Sequence, residues 1–113
     1  MTITRVLAQS TVSDLAAAED WYTLVFGREP DLRPMPGLLE WHLGATFGVQ
    51  VWAEPDRAGH SSMVLDASDV DAIAARLNDV GIVNDGPQTA TTSRVLALID
   101  PDGNRLVFTG PLD

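Results

Sequence analysis

The chain has 113 residues, room for one modest core that buries about 65% of the unfolded surface. A hydrophobic content of 45% fits a globular protein and argues against a disordered one. Sixteen acids against seven arginines, with no lysine, give a net charge of −9; together with the absence of cysteine this excludes a clustered basic surface for nucleic acid or anionic membrane, and any disulfide, zinc–thiolate site or thiol nucleophile.

In chain order, Met1 to Arg5 lacks the charged start and continuous apolar stretch of a signal peptide, and no apolar run approaches the roughly 18 residues of a membrane span. A cytoplasmic protein is expected. Ile3 to Val12 reads as a strand rich in β-branched and apolar residues. Ser13-Asp14 then supplies an N-cap, and apolar residues at Leu15, Ala18, Trp21, Tyr22, Val25 and Phe26 follow helical spacing until Gly27 stops the helix. Arg28 to Pro36 holds three prolines and has room only for a short edge strand. Leu38–Leu43 and Phe47–Trp52 are two strands joined at Gly44-Ala45-Thr46. Pro55 to Gly59 is a linker. Ser62 to Ala67 reads as a strand, Ser68 as a cap answered by Asp71, and Val70, Ile73, Leu77 and Val80 as the apolar stripe of a second helix ended by Gly81. Ile82 to Thr92 carries a Gly-Pro break and another short edge strand. Arg94–Ile99 and Arg105–Thr109 flank Asp100-Pro101-Asp102-Gly103-Asn104, a strong turn signal.

The two halves match. Asp14 and Asp69 are 55 residues apart and Gly27 and Gly81 are 54 apart, so a strand–helix–three-strand unit recurs at one offset. The expectation is an α+β chain of two βαβββ modules, about 1–54 and 60–113 joined by residues 55–59. Their sheets are antiparallel-rich, with the helices on one side.

Val12-Ser13-Asp14-Leu15, Trp21-Tyr22 and Phe26-Gly27 together resemble the first module of the vicinal-oxygen-chelate family, the glyoxalase and bleomycin-resistance group. Ala67-Ser68-Asp69-Val70-Asp71 resembles the start of its second helix, and Asp100-Pro101-Asp102-Gly103-Asn104 its final hairpin. The family holds isomerases, lyases, ring-cleaving dioxygenases and proteins that sequester drugs, so the resemblance speaks to fold before function. It implies four inward-pointing strand positions that carry His, Gln or Glu in metal-dependent members. By spacing from the landmarks these fall at Leu7, near Gln50, at Ser62 and at Val107. Leucine and valine have no lone pair, so the expectation is no metal and no cofactor. Gln9 and His60, two residues from Leu7 and Ser62, are the alternative ligands if the alignment slips by one step of the alternation.

The resemblance implies that the face holding those positions is the concave side of a cup formed by the sheets, with the helices on its convex side. Parity puts Gln50 and Trp52 on that same face. With Leu7, Gln9, His60, Ser62, Val107 and the rim residue His42 they would line an apolar cup carrying a few polar groups, the usual chemistry of a small-molecule pocket. Trp21 and Tyr22 read as core, and Glu40 shares the face of His42. Three functions stand open. The first is a metal-independent binding protein that sequesters an antibiotic or a metabolite, holding a planar or cationic molecule against Trp52. The second is a metal-dependent or histidine-based lyase, isomerase or dioxygenase, and the third an orphan interaction domain. Exposed sheet edges and the family resemblance together imply a homodimer.

Overall fold

A computed structural model describes residues 1–112, and in it the sequence of strand, helix and three strands occurs twice. The first module holds β1 (Val6–Val12), α1 (Leu15–Phe26), β2 (Leu32–Met35), β3 (Leu38–His42) and β4 (Phe47–Ala53). The second holds β5 (Ser62–Asp66), α2 (Val70–Asp79), β6 (Gln88–Thr89), β7 (Arg94–Ile99) and β8 (Arg105–Gly110). Each module forms one four-stranded mixed sheet, ordered β1-β4-β3-β2 and β5-β8-β7-β6. The first and last strands of each module run parallel, and the remaining pairs are antiparallel. This is the α+β architecture of two repeated modules expected from the sequence. No helix among the described residues is long and apolar enough to cross a membrane.

Local chemistry accounts for the helix limits. Asp14, in extended conformation, caps α1 by accepting from the Ala17 N–H, and Gly27 ends it in the left-handed region at φ +70°, its N–H bonded to Thr23 O. The cap of α2 is Asp69, which accepts from Ala72 N, not Ser68 as the sequence suggested. Aspartate, one residue nearer the first helical turn, reaches the free N–H groups and leaves serine outside. β1 starts at Val6 rather than Ile3, because the Val6 N–H, bonded to Thr46 O, makes the first tie to the sheet, and Met1–Arg5 are exposed.

The two helices bury matching faces: Ala18, Tyr22 and Val25 on α1, and Val70, Ala74 and Leu77 on α2. They join Val12, Leu39, Trp41, Val49, Val51, Leu96, Leu98, Leu106 and Phe108 in one core, with alternate strand residues pointing inward. Arg76 of α2 donates to the Leu24 and Val25 carbonyls at the end of α1, satisfying acceptors that the helix itself cannot.

A buried polar cluster ties the modules together. The Tyr22 hydroxyl donates to Asp100 Oδ2 at 2.7 Å and shares a 2.8 Å hydrogen bond with Ser10. Asp100 also accepts from the backbone N–H groups of Asp102 and Asn104 and from the Asn104 amide. Asn104 in turn donates to Thr11 O and accepts from Ser61 N, both at 2.8 Å, so the turn between β7 and β8 grips the end of β1. Asp102 completes the grip through the backbone and hydroxyl of Ser13. Burial, above all, pushes the Tyr22 phenol far above its ordinary value.

Candidate functional site

The faces of the two sheets turned away from the core carry the candidate residues. Register on the first sheet arranges them in three rows across β1, β4 and β3: Leu7–Gly48–His42, Gln9–Gln50–Glu40 and Thr11–Trp52–Leu38. The middle row is hydrogen-bonded from end to end. Gln9 Nε2 donates to Gln50 Oε1 at 3.1 Å, and Gln50 Nε2 donates to Glu40 Oε2 at 2.8 Å. Glu40 Oε1 takes His42 Nε2 at 2.7 Å and Arg5 Nη2 at 3.3 Å. Only 5% of Glu40 remains exposed although no helix covers this face. The hydrogen bond from Gln50, then that from His42, holds its carboxyl below the usual range against the opposing effect of burial.

The flanking rows differ. Gly48 is closely packed: a Cβ there would stand 2.3 Å from Trp41 O and 2.9 Å from Leu7 Cδ2, so the backbone and the Leu7 side chain fill the space that a larger residue would need. On the other side Trp52 is half-buried, its ring beside Gly37, and its indole N–H donates to Glu54 at 3.0 Å. With the N–H engaged, the ring presents mainly its apolar surface. Beyond His42, Asp31 accepts that residue's backbone N–H at 2.7 Å, which is the main reason its carboxyl is lowered.

The outward face of the second sheet is different in kind. Its rows are Ser62–Arg105–Ile99, Val64–Val107–Ala97 and Asp66–Thr109–Val95. Val64 and Ile99 are 66% and 58% exposed.

The structure thus brings Gln9, Gln50 and His42 together through Glu40, with Leu7 and Trp52 beside them. Ser62 and Val107 lie on the second sheet and, among the described residues, make no side-chain hydrogen bond to the first set. His60 does not share a strand face with Ser62, because β5 begins only at Ser62. It is exposed in the preceding loop, whose path is set by Gly59 N bonding Thr11 O and by Ser61 bonding Asn104 and Arg105. Trp21, read as core, is half-buried and packs against the core with its ring edge-on to Tyr22 at 4.8 Å; the fully buried tryptophan is Trp41.

Sequence reasoning passed over Glu40 and Arg5 as site residues. The signal available was the alternation of Glu40 and His42 with Leu39 and Trp41. What it lacked was the cross-strand register that sets Glu40 opposite Gln50.

The four positions at which the family resemblance implies ligands hold Leu7, Gln50, Ser62 and Val107, and that set does not fit a catalytic metal: two members have no lone pair, and an amide and a hydroxyl are weak donors. Among the described residues no three His, Asp or Glu side chains are gathered closely enough to hold a metal ion. A cleft of about 470 Å³ lies between the start of α1 and the β2–β3 turn. Another of about 380 Å³ opens between β1 and β5, lined by Val6, Phe47, Val64 and Leu65 among others. None of the eight residues singled out from the sequence lines either cleft.

The profile of the glyoxalase/bleomycin resistance protein/dioxygenase superfamily matches residues 3–108. The chain belongs to this superfamily. Among solved structures, a glyoxalase/bleomycin resistance protein from Catenulispora acidiphila DSM 44928 is 27% identical with a TM-score of 0.87, over 94% of this chain and 96% of that one. An antibiotic binding protein from Streptomyces sp. CB03234 is 30% identical with a TM-score of 0.81, over 98% of each chain. A lactoylglutathione lyase from Agrobacterium tumefaciens shares the fold at 22% identity and a TM-score of 0.77, over 97% of this chain and 95% of that one. Comparison with curated proteins gives no match. The superfamily's name itself covers glyoxalases and dioxygenases beside resistance proteins, so the residues on the outward faces have to distinguish binding from catalysis.

Proposed function

We propose that the chain is a metal-independent binding protein of the superfamily, which sequesters an antibiotic or a metabolite in the cytoplasm. The observation that carries this reading is the polar row Gln9–Gln50–Glu40 beside Trp52, on a sheet face that no helix covers. A buried carboxylate on such a face costs desolvation that an apolar residue would avoid, and perturbed ionisable groups of this kind concentrate at functional sites. Leu7, Gln9, His42, Gln50 and Trp52 would contact the ligand, with Ser62 and Val107 offering the opposing wall and His60 the rim. The resemblance to an antibiotic binding protein over nearly the whole chain supports the same class.

We further propose a homodimer. Val6, Phe47, Val64 and Ile99 are exposed apolar groups along strand edges and outward faces, and a second copy laid over them would close the site. Light scattering should give twice 12.1 kDa. A monomer at every concentration would remove the shared site. Screening by tryptophan fluorescence should find a planar ligand whose binding is weakened in Trp52→Ala, whereas failure of every compound to alter emission would sink the binding reading. Added Zn²⁺, Ni²⁺, Mn²⁺ or Fe²⁺ should leave the melting temperature unchanged; a site filled at 100 times its Kd would add about 2.7 kcal/mol.

One observation favours a second reading, a histidine-based lyase or isomerase. Glu40 holds His42 by Nε2, which leaves Nδ1 as a base with no bond to a described residue. Turnover of a carbonyl substrate abolished by His42→Gln would establish it in place of sequestration.

A further inference from the structure

An ionised carboxylate can only accept hydrogen bonds, and both oxygens of Glu40 are engaged, Oε1 by Arg5 and His42 and Oε2 by Gln50. That requirement passes along the row. Gln50 must turn its NH₂ toward Glu40, so its carbonyl oxygen faces β1 and accepts from Gln9. Gln9 must then spend one N–H inward. Its carbonyl oxygen and second N–H make no bond to a described residue. Flipping one amide in the row would set oxygen against oxygen or NH₂ against NH₂. The Arg5 guanidinium stands against the Glu40 charge, so the row as a whole is electrically balanced and offers a cation little.

We propose that Glu40 is a positioning residue that sets the direction of this row, so that Gln9 offers an acceptor and a donor to the amide or lactam edge of an uncharged ligand. The proposal rests on the small-molecule-binding reading of this face and adds the chemistry of the ligand. An N–H beside a C=O can pair with both free groups of Gln9. A tertiary amide or an ester lacks the donor, and an ammonium lacks the acceptor. Trp52, two residues along β4 from Gln50, supplies the apolar surface for the rest of a planar molecule.

The test uses four matched probes: naphthalene carboxamide, its dimethyl amide, its methyl ester and naphthylmethylammonium. Each is titrated into isotope-labelled protein while NMR follows the side-chain NH₂ signals of Gln9 and Gln50 and the indole N–H of Trp52. The carboxamide should move all three and bind roughly three- to tenfold more tightly than the other probes, the span of one net hydrogen bond. Gln9→Ala, at an exposed position, should keep the fold and the Trp52 response and lose the preference. Glu40→Gln should also lose it, because an amide there can accept or donate; the Gln9 and Gln50 signals should then broaden between two orientations. Should that variant not fold, the Gln9→Ala comparison decides alone. Equal binding of all four probes with Gln9 unmoved, or tighter binding of the ammonium, overturns the amide-edge proposal and leaves the binding reading standing. No Trp52 response to any probe overturns both.

Discussion

Gln9 and Ser10 are neighbours on β1, yet they belong to polar networks with opposite relations to water. Ser10 points toward the core and, with Tyr22, Asp100 and Asn104, is shut away from solvent with its polar groups bonded. Gln9 points outward into a row that runs from the buried Glu40 to an exposed edge. The inner network joins residues far apart in the chain and both modules; the outer one lies within the first sheet. Closed networks of the inner kind specify one arrangement of the chain, since every member left alone is costly. An open row with a rigid, buried root and free groups at its tip is suited to contact something else.

The contrast can be broken or sharpened by substitution. The largest effect is expected from the inner network and the core beside it. Trp41→Ala should cost about 3–5 kcal/mol in urea unfolding, as buried aromatic truncations do. Asn104→Ala orphans Ser61 N, removes a donor from Asp100 and leaves Thr11 O with only the Gly59 N–H, and should cost about 2–4 kcal/mol. A loss under about 1 kcal/mol in both would mean that the inner network is no more structural than the outer.

Next comes the acid side of the stability curve. The folded-state pKa of Glu40 is depressed, so its contribution is present above the ordinary glutamate value and is lost as pH falls through the lowered folded value. Glu40→Gln should therefore lower the urea midpoint at neutral pH, and the gap to the parent should close as the pH is taken down into the acid range. A gap of constant size would show that the Glu40 charge has no part in it.

Smaller still is the effect expected of the aromatic beside the row. Trp52→Ala should weaken a stacked planar ligand by about 0.5–1.5 kcal/mol and affect stability far less than Trp41→Ala. Equal destabilisation by both would mean that the outward face is simply more core. Gln9→Ala should change the urea midpoint by less than about 0.5 kcal/mol equivalent, as exposed substitutions do.

How far the sequence reached can be read from particular residues. Helical spacing and Gly27 gave α1 its observed limits, Leu15–Phe26, and alternation separated Leu39 and Trp41 from Glu40 and His42 correctly. Alternation also placed Gln50 and Trp52 on one outward face. Where it was carried past the strand it failed: His60 lies outside β5, held by backbone bonds that have no period of two. The turn Asp100 to Asn104 was legible as a turn, but not as the grip on Thr11, Ser13 and Tyr22.

Periodicity, caps and turn residues act through neighbours a few positions away, so the chain by itself determined its elements, their faces and the duplication. Register and packing join residues tens of positions apart. Only the tertiary structure could therefore decide that Glu40 stands opposite Gln50, and Gln50 opposite Gln9. It also decided that Trp41 rather than Trp21 is fully buried, because the depth of a side chain depends on what the rest of the fold lays over it.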